Sequence, residues 1–440
     1  MSDSVDSRND ERPIGVVVLG MGSVGTEVVR ILTESADDLR ERVGAPVVLR
    51  GVSVRDVSRP RAVDPALLTD DPAELVVRED VDLVVELIGG IEPPRQLILS
   101  ALESGKSVVT ANKALMAVHA GELSEAAARN GVDLYFEASV GGAIPVIRPL
   151  IQSLAGDSVN RVAGIVNGTT NFILSAMAET GADYDEVLAE AGRLGYAEAD
   201  PSADVEGYDA AAKAAILASI AFHSRVTADD VYREGITAIT AADLAAAAKF
   251  DCTVKLLAIC ERLNDGGAEK ISARVYPALI PLEHPLATVN GAFNAVVVES
   301  ENAGRLMFYG QGAGGAPTAS AVMGDLVMAA RNRVYRGRGP LESTYASLPV
   351  ASIDDVPTRY YVSMRVADRP GVLAQVSGAF AEKGVSISAM RQEGAGEDAR
   401  LIIVTHRAAD RAQSETVAAL EEMDAVIKVS SVLRLEGTNE

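Results

Sequence analysis

Apolar residues come in short runs separated by polar stretches, and their spacing sorts the chain into elements. Ile14–Leu19 is a short Val-rich apolar run, which predicts a strand. It leads into Gly20-Met-Gly22-Ser23-Val24-Gly25 and a helical pattern that lasts to about Thr33. Apolar runs at 47–54, 81–88, 107–110 and 132–136 read as further strands, with helical stretches at 94–104 and 115–130 between the later ones. Strands alternating with helices at this spacing predict an α/β fold, a doubly wound Rossmann-type sheet, over residues 14–145.

Past about residue 145 the rhythm changes. A helix near 145–154 precedes a strand at 161–167, then helices that include 183–194 and 207–222. Runs at 253–262, 270–278 and 295–299 read as strands of a second sheet. The region 146–309 is therefore expected to be an α+β substrate-binding and dimerisation domain. Residues at about 310–332 return to a glycine-rich loop and a helix, assigned to the first domain. The stretch 331–349 is polar, basic and broken by Gly337, Gly339 and Pro340, so a linker is placed at 333–358. From 359 to 440 a βαββαβ pattern predicts a small ferredoxin-like module. Residues 1–13 read as a disordered tail.

Composition narrows the function classes. The 440 residues suffice for about three domains at roughly 150 residues each. With 62 Asp and Glu against 40 Lys and Arg the formal charge is −22, the wrong sign for a general nucleic-acid binder. Two cysteines, Cys252 and Cys260, are too few for a disulfide framework and have no metal-ligand spacing, which fits reduced intracellular thiols. The start, MSDSVDSRNDERP, lacks the apolar core of a signal peptide, and no run nears the ~18 apolar residues of a membrane span. The expectation is a soluble cytoplasmic protein.

Chemistry concentrates in a few segments. Gly20-x-Gly22-x-x-Gly25 between strand and helix suits a dinucleotide: one glycine for the turn, one for approach to the pyrophosphate, one for helix–strand packing. At the end of the second strand Arg55 suits the 2′-phosphate of NADP, while Asp56 keeps NAD open. Five carboxylates crowd between Glu198 and Asp209, including Asp204, and Asp209 shares a helix face with Lys213 four residues on. The helix continues almost without polar residues, so that lysine is expected to be buried and paired, a candidate for catalysis rather than an exposed ion pair. Lys113 follows a parallel strand, where ligands of such sheets bind, though Asn-Lys is also an ordinary helix entry. Asn167-Gly168-Thr169-Thr170-Asn171 and the glycine-rich 310–318 stretch have the form of backbone-donor loops or of simple caps.

Together GMGSVG, VVTANKAL, YFEASVGGAIP, GIVNGTTNFIL, LGYAEADPSADVEGYDAAAKAAI and FYGQGAGGAPTASAV resemble, in order, the homoserine dehydrogenases. The resemblance implies NAD(P)H-dependent reduction of L-aspartate 4-semialdehyde to L-homoserine. It makes Lys213 the proton donor, with Asp209 holding it and Lys113 at substrate and cofactor. It places Glu198, Asp204, Asp209, Gly168, Thr169 and Tyr196 around the substrate. Gly20, Gly22, Ser23, Val24, Gly25, Arg55, Lys113, Gly195 and Gly312 fall to the cofactor. Glu137, Val140, Gly142 and Ile144 match a structural sodium site built mainly from main-chain carbonyls. The segment Asp368-Arg-Pro370-Gly371 through Gly384 resembles an ACT domain, which implies L-threonine as a possible effector and a homodimer or homotetramer. Two alternatives stand beside it: an acylating semialdehyde dehydrogenase, which needs a reactive thiolate, and an amino-acid sensor with a dead core, which intact Lys113, Asp209 and Lys213 oppose.

Overall fold

The computed structural model describes residues 12–394, 396 and 399–437, so most of the expected 1–13 tail lies outside the described residues. Two compact units emerge. The first gathers the described residues up to Val159 with Ala215–Ala228 and Asn294–Ser347. The second gathers Asn160–Ala214, Asp229–Phe293 and the described residues from Leu348 on.

In the first unit six strands form one parallel sheet in the order Leu68–Thr69, Val47–Ser53, Ile14–Leu19, Leu83–Glu86, Ser107–Thr110, Leu134–Tyr135. The order reverses between Ile14–Leu19 and Leu83–Glu86, and at such a switch point the carboxyl ends of the strands leave a crevice. All six residues of Ile14–Leu19 are buried, as suits an interior strand of a parallel sheet. Helix Ser23–Glu34 buries Gly25, Val28, Val29 and Leu32, a stripe at helical spacing. Helix Gly315–Tyr335 packs into the same core through Ala319, Val322 and Leu326.

Three expectations need adjusting. The run 81–88 pairs only at Leu83–Glu86. Beyond it the amides of Ile88 and Gly89 turn back to the Glu86 carboxylate, so Leu87 and Ile88 are loop residues despite their apolarity. The linker starts later than residue 333, because the helix runs to Tyr335 and is stopped by Arg336 at φ +54°. The strand Gly304–Gln311 has no counterpart in the sequence reading. Its side chains are exposed or half-buried throughout, so no apolar run marks it.

In the second unit strands lie side by side in the order Val159–Ile165, Cys252–Asp265, Ala268–Pro281, Val426–Leu435, Tyr360–Val366, Arg400–Thr405, Ile387–Glu393. Cys252–Asp265 and Ala268–Pro281 make an antiparallel hairpin of 14 residues per strand, longer than the two runs that signal it. The last four strands, with helices Val372–Glu382 and Asp410–Glu421, give the ferredoxin-like βαββαβ order. Gly371, at φ +90°, turns the chain into the first of those helices. No helix among the described residues is long and apolar enough to cross a membrane.

Candidate functional site

The glycine turn of the first unit is divided by what each position must avoid. Gly20 stands at φ +98°, and a Cβ there would lie 2.8 Å from the Leu87 carbonyl oxygen. A Cβ on Gly25 would lie 2.1 Å from the Gly20 carbonyl oxygen, so only glycine lets helix and turn close. Around Gly22 no protein atom lies within 4 Å of that position: the space is open. Gly22 is the N-cap of Ser23–Glu34 and no side chain caps it, so the first amides, those of Ser23 and Val24 included, are left for a ligand. Gly315 begins a second helix here, close enough that a Cβ on it would meet the Ser23 carbonyl oxygen at 3.0 Å. Two helix N-termini thus converge, and both dipoles favour an anion. A dinucleotide pyrophosphate fits this cradle.

At the end of Val47–Ser53, Arg55 is exposed, whereas the Asp56 carboxylate accepts from the amide and hydroxyl of Ser58 at 2.9 and 2.6 Å. Those bonds hold the Asp56 carboxyl below the usual range. On the far side of the crevice Glu86 is fully buried and accepts from Ile88, Gly89 and the Thr110 hydroxyl. Asn112 donates to the Gly90 carbonyl and caps helix Lys113–Asn130, leaving Lys113 exposed in its first turn. Sequence reading passed over Glu86, although a lone carboxylate closing an apolar strand before two glycines was a signal.

The Gly312 loop sits against the expected cation loop. A Cβ on Gly142 would lie 2.4 Å from the Gly312 carbonyl oxygen, and the Ala143 amide donates to Gln311. Glu137 spends its carboxylate on the amides of Val146, Ile147 and Arg148 at 2.7–2.9 Å. Its side chain is therefore a helix cap, and a cation here would meet main-chain carbonyls. Among the described residues no cluster of three His, Cys, Asp or Glu could hold a metal ion.

The second unit carries the paired lysine. Lys213 is 8% exposed; its Nζ donates to Asp209 Oδ2 at 2.7 Å and to the Val166 carbonyl at 2.6 Å. Asn167 is the hub. Its Nδ2 donates to Asp209 at 2.9 Å and to Asp204 at 2.7 Å, while its Oδ1 accepts from the Thr170 amide and caps helix Gly168–Thr180. Thr169 donates to the Tyr196 carbonyl, and the Tyr196 ring lies 4.8 Å from Phe172. Strand end, helix start and carboxylate loop thereby become one constellation. Glu198 and Gly195 stand exposed on the same loop. Of the five carboxylates, Asp204 and Asp209 are gathered inward, and Asp200 is turned to Ser202.

Both cysteines lie buried in the hairpin, and burial pushes the Cys252 thiol up to about 11. Cys252 thus lacks the depressed pKa of a nucleophile, and the buried Cys260 thiol donates to the Ala214 carbonyl, so neither supports the acylating alternative.

The comparisons agree with this layout. The model "Homoserine dehydrogenase, NAD binding domain" matches residues 20–137, "Homoserine dehydrogenase" matches 145–327, and "ACT domain" matches 360–425. The homoserine dehydrogenase of Mycobacterium tuberculosis H37Rv is 68% identical over 436 residues, covering 98% of this chain and 99% of its own. That of Corynebacterium glutamicum is 61% identical and covers 96% of each. The crystal structure of a homoserine dehydrogenase from Thiobacillus denitrificans superposes with a TM-score of 0.90 at 40% identity, over 97% of this chain and 99% of that one. A hyperthermophilic archaeal homoserine dehydrogenase in complex with NADPH aligns over 72% of this chain and 97% of its own, with a TM-score of 0.60 at 28% identity. With its nucleotide cradle, its buried lysine–aspartate pair and these relatives, the chain belongs to the homoserine dehydrogenases.

Proposed function

We propose that Lys213 is the proton donor in the reversible, NAD(P)H-dependent reduction of L-aspartate 4-semialdehyde to L-homoserine, the family's reaction in threonine and methionine biosynthesis. One observation carries the reading: a buried ammonium held by a carboxylate and a carbonyl at 2.7 and 2.6 Å. The nicotinamide supplies the hydride when bound. As the aldehyde oxygen gains negative charge, Lys213 Nζ stabilises it and hands over a proton, an effect worth about 10²–10⁴-fold. Asp209 keeps the ammonium oriented and, with Glu198 and Asp204, offers negative charge to the substrate's amino group. Gly168 and Thr169, at a helix N-terminus, suit the substrate carboxylate, with Tyr196 beside them. Lys113, in the first turn after a parallel strand, adds a cation toward substrate and cofactor.

Gly20, Gly22, Ser23, Val24, Gly25, Gly195 and Gly312 are read as cofactor positions. NADP is favoured over NAD because Arg55 is exposed while Asp56 is engaged with Ser58. A sodium ion held by carbonyls of Glu137, Val140, Gly142 and Ile144 would brace the loop against Gly312, and oxygen-only ligation suits so hard a cation. The ACT domain fits a small-molecule sensor, with L-threonine the effector, in a cytoplasmic homodimer or homotetramer. The domain limits proposed are 14–145 with about 310–332, 146–309 and 359–440.

The test is Lys213→Ala. Its kcat should fall by about 10²–10⁴-fold while the Kd for NADPH, read by fluorescence, stays nearly constant. Unchanged turnover would refute the assignment.

A further inference from the structure

Where the last strand of the ACT domain ends, charged groups meet inside the sheet of the second unit. Val426–Leu435 lies parallel to Ala268–Pro281, with Ala278 opposite Arg434 and Leu279 opposite Leu435, and the Glu436 amide continues the ladder to the Leu279 carbonyl. This delivers the Glu436 carboxylate between two arginines. One oxygen is 2.6 Å from Arg161 Nη2; the other is 3.3 Å from Arg274 Nη2 and accepts from the Tyr276 hydroxyl. Glu261 completes the group, 2.8 Å from Arg274 and 3.5 Å from Arg161. Two cations and two anions balance with Arg274 only 2% exposed.

Removing one carboxylate from such a set leaves a buried charge uncompensated, which the low-dielectric interior penalises far more than water would. Among the four, only Glu436 follows Val426–Leu435; the other three lie on Val159–Ile165, Cys252–Asp265 and Ala268–Pro281. Arg161 sits on Val159–Ile165, the strand that runs directly into Val166 and Asn167. The Val166 carbonyl accepts from Lys213, and Asn167 holds Asp209. Across the same strand, Val162 faces Cys260, whose thiol donates to the carbonyl of Ala214, next to Lys213.

We propose that Glu436 is a positioning residue for catalysis: it fixes Arg161, and through the strand that carries Arg161 it sets the Val166 carbonyl and Asn167 that hold the Lys213–Asp209 pair. The inference rests on the reading of Lys213 as proton donor. The ACT domain then supplies part of the frame of the active site as well as a sensor.

Protonation belongs to the same account. Burial would raise the Glu436 carboxyl, but Arg274 and Arg161 outweigh it, and it lies below its ordinary value. Tyr276 and Ser272 complete the polar shell around the arginines. Arg434 lies over the Tyr276 ring at 4.7 Å, paired with Asp410 and Glu234, and His284 packs on Gly437. A depressed carboxyl contributes stability that is full above the unfolded value and is lost as pH falls through the lower folded one.

The test uses the full-length chain with Glu436→Gln, which keeps the shape and removes the charge. We expect kcat to fall on the order of tenfold, with the KM for NADPH unchanged and the alkaline limb of the kcat–pH profile displaced. The double variant Arg161→Gln/Glu436→Gln restores charge balance without the bond, so it should recover Tm but not kcat; recovered kcat would make the unbalanced charge the cause and overturn the proposal. A lower Tm with unaltered kcat and pH profile would make Glu436 merely structural and overturn the proposal. If Glu436→Gln does not fold, Arg161→Lys carries the same expectation, since it keeps the charge but loses the fork between two carboxylates; unaltered kcat there is equally fatal. Lys213→Ala is assayed alongside. If it retains turnover, the donor assignment falls and this inference with it; if it loses turnover while Glu436→Gln does not, only the inference falls.

Discussion

Asn167 shows how much one side chain can organise. Its amide nitrogen joins Asp204 to Asp209 while its oxygen caps a helix, so a single residue aligns the loop before the helix with the carboxylates beside Lys213. Asn167→Ala should cost about 1 kcal/mol through the lost cap, measured by denaturant unfolding. Its larger effect should be kinetic, a drop on the order of 10²-fold in kcat/KM, because Asp209 loses its lateral partner. Arg55 poses a different question at the same scale. Arg55→Ala should raise the KM for NADPH about tenfold or more and leave that for NADH nearly level, because only NADPH has a 2′-phosphate to pair. Equal changes for both cofactors would end the 2′-phosphate argument.

At the scale of elements, glycines mark where two segments must touch. Gly142 and Gly312 belong to loops about 170 residues apart in sequence, a separation that only the folded chain closes. A Cβ on Gly142 would strike backbone, and the residue sits at φ +57°. Gly142→Ala should therefore lose about 2–4 kcal/mol from overpacking and backbone strain together, seen as a Tm lower by several degrees. Elements themselves were readable from apolar periodicity wherever a run was both buried and regular. Ser107–Thr110 falls where its run predicts, whereas 81–88 overshoots because the Glu86 carboxylate, rather than a neighbouring strand, takes the amides of Ile88 and Gly89. Gly304–Gln311 escaped for the opposite reason, being a strand without a buried face.

For the whole molecule, Val426–Leu435 of the ferredoxin-like module meets Ala268–Pro281 in a short parallel pairing, and Glu436 just beyond it joins a buried ionic group. L-Threonine should inhibit the full-length enzyme, and a chain truncated before residue 351 should ignore it; steady-state assays over a threonine series decide this. Truncation also removes Glu436, so the remaining activity should be lower than that of the uninhibited full-length chain. An allosteric effector acts only through unequal affinity for two states.

The sequence alone determined the doubly wound first domain, the α+β second domain, the ferredoxin-like module, the glycine turn and the Asp209–Lys213 pair. Each depends on local periodicity or on residues within one helical turn. It could not reach the closure of Asn167 on Asp204, the second helix N-terminus at Gly315, the service of Glu137 as a cap, or the seat of Glu436 between Arg161 and Arg274. Those contacts join residues from about ten to nearly three hundred positions apart. Burial and charge balance there follow from which segments the folded chain brings together, and no single stretch of sequence encodes that proximity.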